Sequence, residues 1–410
     1  MDRVMRTPPS SAGALAGLTV LDLTRLLPGA FCSQLLADLG ADVIKIEHPD
    51  GGDYNRAFAP IAKKESGSFL LLNRNKRSIA LDLKTQAGRE VFLQLAGKAD
   101  VVIEGFRPGV MDRLGLSYET LAETNPGLVY CAISGYGQDG PLRHAPGHDL
   151  NYLALAGALQ LFGKAGEDPI VPGLSIADVG GGSLTASTGI LAALMARGRT
   201  GRGQFVDISM FDGSVAWLAY HGADRLFAGI EPRGGERPFI GQAPCYNVYR
   251  CADGRHVALG IIEEHFWHRF CDAVGLPDLK SDQWPAGAAA QRQRLQLEAL
   301  FATRSRDAWT EALAPADIPF TPVLSMQEAF EQPHFRHRQL LQSVQHPVEG
   351  EVPQLGFPIK LSETPAEIRS PAPLLGEHTA AILEELGYSS FDVEQLRASG
   401  AVACTPTADT

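Results

Sequence analysis

Leu18-Thr19-Val20-Leu21-Asp22-Leu23, then Thr24-Arg25-Leu26-Leu27-Pro28-Gly29, then a helically spaced run over 30–39 that stops at Gly40, then Ala41-Asp42-Val43-Ile44-Lys45-Ile46-Glu47, is the stretch that decides the fold. Two short, nearly continuous apolar strands flank one helix, the pattern of parallel strands covered on both faces. Working outward, His48-Pro49-Asp50-Gly51-Gly52 closes the second strand. Ser78-Ile79-Ala80-Leu81-Asp82-Leu83 reads as a third strand, 89–96 as a helix, Asp100-Val101-Val102-Ile103-Glu104-Gly105-Phe106 as a fourth strand, and Leu128-Val129-Tyr130-Cys131-Ala132-Ile133 as a fifth. Right-handed crossovers turn this order into an α/β, Rossmann-like, doubly wound sheet. The turn after the first strand lacks G-x-G-x-x-G, so the sheet carries no argument for a dinucleotide.

The chain has 410 residues, beyond the roughly 250–300 at which one core stops growing, so two domains are expected. A large domain over 15–229 ends where Gly, Pro and Arg take over at 229–244. A smaller α+β domain follows over 230–330, with a hairpin whose turn is Cys251-Ala252-Asp253-Gly254. Residues 1–14 read as a disordered leader without an apolar signal region, and 401–410 as a disordered tail. No apolar run reaches the roughly 18 residues of a membrane span. The net charge of −11 argues against nucleic acid as partner, since phosphate binding needs a basic surface. The six cysteines lack CxxC spacing and read as reduced core thiols of a cytoplasmic protein.

Three groups of residues carry chemistry. Asp178 stands in Ala177-Asp178-Val179-Gly180-Gly181-Gly182, ahead of an apolar helix expected over 183–198 with Ser183 as N-cap. Glycines admit a ligand close to the backbone, and a helix start favours negative charge; the plainer alternative is that Asp178 caps the helix. His148, in Gly147-His148-Asp149-Leu150-Asn151-Tyr152, is a candidate acid or base with Asp149 beside it, or else a structural histidine. Basic residues form the third group: Asn73-Arg74-Asn75-Lys76-Arg77 before the third strand, and Phe106-Arg107-Pro108-Gly109 at the carboxyl end of the fourth, where open α/β sheets bind ligands. They suit phosphates, or are solvated charge runs. Glu264 and His268 share i,i+4 spacing but lack a third ligand, so no metal is expected. Glu263 is a carboxylate at the end of a strand, Val257-Ala258-Leu259-Gly260-Ile261-Ile262.

Taken together, several separated motifs resemble one family: Gly40-Ala41-Asp42-Val43-Ile44-Lys45-Ile46-Glu47, Asn75-Lys76-Arg77-Ser78-Ile79, Glu104-Gly105-Phe106-Arg107-Pro108-Gly109, Gly147-His148-Asp149, Asp178 with its glycines, Gly201-Arg202-Gly203-Gln204 and Gly376-Glu377-His378-Thr379. From Leu15 to Val402 the chain is similar to class III CoA-transferases of the CaiB/BaiF type and, within them, to α-methylacyl-CoA racemases. The resemblance implies a large Rossmann-like domain, a return of 331–400 to it from the small domain, and two chains interlocked like rings into a homodimer. It implies an acyl-CoA thioester as substrate, with coenzyme A part of that substrate and no permanently bound cofactor; the apolar runs and the charge read above already leave no membrane or nucleic-acid partner. Asn75, Lys76, Arg77, Phe106, Arg107, Asp149 and Tyr152 are the candidate CoA-binding residues, with Arg107, Asp149 and Tyr152 alternatively orienting the histidine.

The family divides at the catalytic step. In the transferases the residue matching Asp178 attacks the acyl-CoA and passes through an anhydride to an enzyme–CoA thioester. In the racemases it works with the residue matching His148 as an acid/base pair across the α-carbon, and Glu263 matches a glutamate that supports the pair. His148, Asp178 and Glu263 occur together here, which favours proton transfer over CoA transfer. Arg25-Leu26-Leu27-Pro28-Gly29 and Ser68-Phe69 are close to transferases as well, and six Met are few for a racemase acyl pocket. A non-catalytic acyl-CoA-binding protein is the third reading.

Overall fold

The computed structural model describes residues 13–405. Most of the expected leader and half of the expected tail lie outside these residues. The described residues form two compact units, one of 13–153, 175–216 and 333–405, the other of 154–174 and 217–332.

The first unit holds six parallel strands: β1 (Thr19–Asp22), β2 (Asp42–Glu47), β3 (Lys76–Leu81), β4 (Val101–Glu104), β5 (Val129–Ser134) and β6 (Phe205–Ser209). Their order is β3-β2-β1-β4-β5-β6, the doubly wound arrangement that reverses between β1 and β4. Leu21 lies opposite Ile44 on one side and Val102 on the other. Leu21, Ile44, Ile79, Val102 and Tyr130 are buried beneath the helices Gln86–Lys98, Tyr118–Thr124 and Thr379–Glu385. Helices Leu26–Asp38 and Thr185–Thr200 pack against β1 and β2, and β5 and β6, respectively. With both faces covered, β4 and β5 carry apolar residues at every position but the last. Residues 401–405 are not a loose tail: Val402–Ala403 pairs antiparallel with β3, Val402 opposite Leu81, and both Ala401 and Val402 are buried. A single apolar pair suffices to close the β3 edge, too short a signal against the polar residues around it.

Residues 73–77 are a correction to the sequence reading. β3 starts at Lys76, two residues earlier than expected, and the cluster sits at the amino end of the strand, turned into the framework. Lys76 Nζ meets Asp22 Oδ2 at 3.2 Å with both side chains fully buried. Lys45, also fully buried, donates to Thr24 O at 2.9 Å and stands 2.9 Å from Asp53 Oδ2, an ion pair poorly aligned for a hydrogen bond. Asn75 donates to Asp38 at 2.8 Å and Arg77 to Asp42 at 2.6 Å. Burial pushes the Asp22 carboxyl up, but Lys45, Lys76 and the hydroxyls of Ser33 and Thr24 outweigh it and hold it at about 2. Removing one member of such a buried pair strands the other charge, at a cost of about 3–5 kcal/mol. Lys76→Met is therefore expected to lower unfolding stability by about 3 kcal/mol or more in denaturant titration; a loss under about 1 kcal/mol would show that Lys45 alone neutralises Asp22.

The second unit is built on an antiparallel sheet of β7 (Tyr246–Arg250), β8 (His256–Gly260) and β9 (Phe320–Pro322). Trp267, Phe270, Phe301 and Trp309 fill its core, with the Tyr249 and Phe301 rings 5.0 Å apart. The boundary falls at 216/217 rather than 229/230, and 154–174, expected in the large domain, belong here. The Gly-rich segment packs within this unit instead of marking its boundary. Gly234 N donates to Gln160 O at 3.0 Å, and a Cβ on Gly235 would lie 2.2 Å from Ala165 N. Helix Ala219–Ala228 buries none of its residues.

Candidate active site

A cavity of about 640 Å³ opens at the carboxyl ends of β1, β4 and β5. Arg25 and Leu26 reach it from the turn after β1, Phe106 and Arg107 from the turn after β4, and Gly135 from the end of β5. This is the point where strand order reverses, so the two turns diverge and leave a crevice, the place where open α/β sheets take ligands. A larger cavity, about 870 Å³, lies in the second unit. It contains none of the candidate acid–base residues, two of which line the crevice.

Asp178 and His148 both line the crevice. Asp178 is in the second position of a π-helix, Ala177–Leu184, which runs on into Thr185–Thr200. The helix thus begins six residues before the expected start at 183, and neither Ser183 nor Asp178 caps it. Wide π turns are rare and cluster at functional sites. The glycines serve packing here: a Cβ on Gly181 would lie 2.7 Å from Met210 O, and one on Gly182 would lie 3.1 Å from Met210 Cγ. Ala177–Thr200 is apolar and, at 24 residues, long enough to cross a bilayer, yet Ala186, Ile190 and Ala193 are buried as in a core helix.

Asp149 anchors the backbone of Asp178. Its Oδ1 accepts the backbone N–H of Asp178 at 2.9 Å. Burial first, and the Asp149 charge second, push the Asp178 carboxyl up to about 7, the value at which a carboxylate is an effective proton acceptor near neutrality. His148 starts the turn into helix Asp149–Leu155, its backbone N–H held by Asn151 Oδ1 at 3.0 Å, and its side chain is exposed in the crevice. Tyr152 donates to Gly147 O at 2.5 Å and stands edge-on to Tyr136, 5.2 Å between ring centres. It is a wall, and burial raises its hydroxyl to about 12. A Cβ on Gly147 would come within 2.7 Å of that ring, so glycine is required there.

Asp149→Asn retains an oxygen for the Asp178 N–H and removes the charge that helps raise the carboxyl. The acidic limb of kcat/KM, where the Asp178 carboxyl at about 7 loses its proton and becomes the acceptor, is therefore expected to shift to lower pH than in the wild type. A pH–rate profile with an unmoved limb would contradict this electrostatic role.

The remaining expected residues fall differently. Phe106 and Arg107 line the crevice, and the Arg25 guanidinium stands 5.5 Å from the Phe106 ring centre. Asn75, Lys76 and Arg77 do not line it; they are committed to Asp38, Asp22 and Asp42. Glu263 belongs to the second unit, exposed, at the N-cap of helix Glu264–Ala273. Arg25 and Arg143 join Arg107 on the lining; in the sequence Arg25 reads only as part of the 25–29 stretch shared with transferases, and neither reads as a ligand-binding residue. Each is isolated in the chain, and no local cluster marked it. Glu104, the last residue of β4, accepts the Phe106 N–H at 2.6 Å and is raised to about 8, chiefly by burial. Among the described residues no group of three or more His, Cys, Asp or Glu could hold a metal ion, and all six cysteines are unpaired. A cavity with three arginines, a carboxyl near 7 and a histidine suits a large anionic substrate and a proton or acyl transfer.

The model of CoA-transferase family III matches residues 15–379. A human α-methylacyl-CoA racemase is 34% identical over 93% of this chain and 96% of its own. A succinyl-CoA:mesaconate CoA-transferase of Haloarcula hispanica is 37% identical over 92% and 98%. The crystal structure of a CaiB/BaiF family protein from Brucella suis superposes with a TM-score of 0.81, at 34% identity, over 92% of this chain and all of that one. The chain belongs to CoA-transferase family III, a family of enzymes that act on CoA thioesters.

Proposed function

We propose that the protein is an acyl-CoA racemase or epimerase that moves one proton at the α-carbon of a 2-methylacyl-CoA or similar thioester. One observation carries this reading: a carboxyl at about 7 and a histidine line the same crevice. The thioester carbonyl acidifies the adjacent C–H. The Asp178 carboxylate or the neutral His148 ring takes that proton, leaving an enolate. The other group, protonated, returns a proton to the opposite face, and in the reverse direction the roles exchange. Arg25, Arg107 and Arg143 are suited to the phosphates of coenzyme A on an otherwise acidic protein. The exposed apolar surface of the second unit, with Tyr220, Leu226 and Phe227, suits a homodimer in which a second copy covers it.

The alternative is CoA transfer, favoured by the 37% identity to a CoA-transferase. Asp178 would attack the thioester carbonyl and release CoA thiolate, leaving a mixed anhydride. The thiolate would then attack the aspartyl carbonyl, releasing the donor acid and forming the aspartyl–CoA thioester that an acceptor carboxylate resolves. Mass-resolved incubation in D2O separates the two. The racemase exchanges the α-proton with no acid added; the transferase needs an acceptor acid and yields an Asp178 adduct to hydroxylamine.

A further inference from the structure

Leu26 is one of four described non-glycine residues with positive φ, at 64°, and it lines the catalytic crevice. A leucine seldom adopts this left-handed conformation, and such residues persist only where their surroundings impose it. The restraint is visible. Asp53 Oδ1 accepts the Leu26 N–H at 3.1 Å and the Asn55 N–H at 3.0 Å. Asp53 itself is held by Lys45, 2.9 Å away with both side chains fully buried, and its N–H donates to Glu47 Oε2 at 3.1 Å.

The conformation of Leu26 sets the direction of the next residues, and these reach the backbone of Asp178 through Ser183. Pro28 O accepts the Ser183 hydroxyl at 2.7 Å, and the same hydroxyl lies 3.1 Å from Asp178 O in the π-helix. A Cβ on Gly182 would sit 3.3 Å from Pro28 Cβ, so the turn and the π-helix touch directly. From these contacts we infer that Asp53 is a positioning residue: by holding Leu26 left-handed it fixes the first turn of helix Leu26–Asp38 against the π-helix and so the placement of Asp178. The inference rests on the Asp178 crevice being the reaction site.

The test turns on conformation against side-chain contact. Glycine adopts positive φ freely, and a β-branched residue does so with most difficulty. If the conformation matters, Leu26→Val is expected to lower kcat by about 10-fold or more, since small misplacements cost up to about 10²-fold, and Leu26→Gly to lose less. Asp53→Ala is expected to lose about 10-fold or more in kcat with KM little changed. Adding Leu26→Gly to it should recover at least about a third of that loss on a logarithmic scale. Turnover is read as α-proton exchange on 2-methyldecanoyl-CoA and as acid-dependent CoA transfer from succinyl-CoA, beside the melting temperature of each variant. A greater loss in Leu26→Gly than in Leu26→Val overturns the inference. So does a double variant no better than Asp53→Ala, or losses that only follow melting temperature. Should Asp53→Ala fail to fold, the two Leu26 variants decide alone. Asp178→Asn run in parallel separates the premise: full turnover there removes the crevice from the chemistry, whatever the Leu26 variants do.

Discussion

Asp178→Asn is expected to lower kcat by about 10²–10⁴-fold, the range supplied by a positioned acid or base, while affinity for the CoA ester persists. The amide has nearly the shape of the carboxyl, so the π-helix and the Asp149 hydrogen bond to its backbone remain, as do the arginines of the crevice. The same variant carries a stability signature. The folded protein holds this carboxyl at about 7, against an ordinary 3.8. A folded pKa above the unfolded one means that the native state binds the extra proton between these values, so stability falls as pH rises through that window. Below about pH 4 the group contributes nothing adverse; above 7 the cost of a buried charge is fully present. Asn carries no such charge. Its melting temperature is expected to exceed the wild type's by about 2 °C or more at pH 8, with the gain shrinking toward pH 4. An equal gain at both pH values would mean that the side chain is not desolvated as described.

His148→Ala is the second large effect. Inversion at the α-carbon is expected to fall about 10²–10⁴-fold, because one face of the carbon then lacks its proton carrier. Exchange of the enantiomer whose α-proton faces Asp178 should survive with retention, since the carboxylate can remove and return the same hydron site. Binding should change little, because the histidine is exposed in the crevice and its hydrogen bonds run through its backbone, to Asn151 and Tyr152. Chiral chromatography of the ester, with deuterium content by mass spectrometry, reads both quantities at once. Undiminished inversion in His148→Ala would remove the two-base mechanism.

Much of the fold was legible because its signal is local. A buried parallel strand is a short run of apolar residues, and β1, β2, β4 and β5 read directly. The switch point between β1 and β4 follows from the order of strands, which the alternation with helices implies but does not number. What was not legible depends on partners far off in sequence. The basic residues at 74–77 pattern like a ligand loop, yet Asp22, Asp38 and Asp42, which neutralise them, arrive from preceding strands and the helix between them. The triple glycine reads as room for a ligand, and Met210 and Gly213 occupy that room instead. Asp149 beside His148 suggests a ring orienter; in the fold it reaches the N–H of Asp178. Residues 154–174 have no strand or charge signature of their own, and only packing against the 234–235 glycines assigns them to the second unit. Asp178 and His148 were singled out by residue type and neighbours, and they meet in one crevice; the π turn that places Asp178 there leaves no pattern in single residues.

The central claim is that Asp178 and His148 move a proton beside the thioester carbonyl instead of Asp178 attacking it. Incubating an enantiopure 2-methylacyl-CoA with the protein in D2O, without any carboxylic acid, tests that most directly. One deuteron incorporated at the α-carbon, together with inversion of configuration at a rate set by enzyme concentration, is the expected result. A substrate that keeps its α-proton and configuration through long incubation, while a carboxylic acid brings on CoA transfer and a trappable Asp178 adduct, would contradict it.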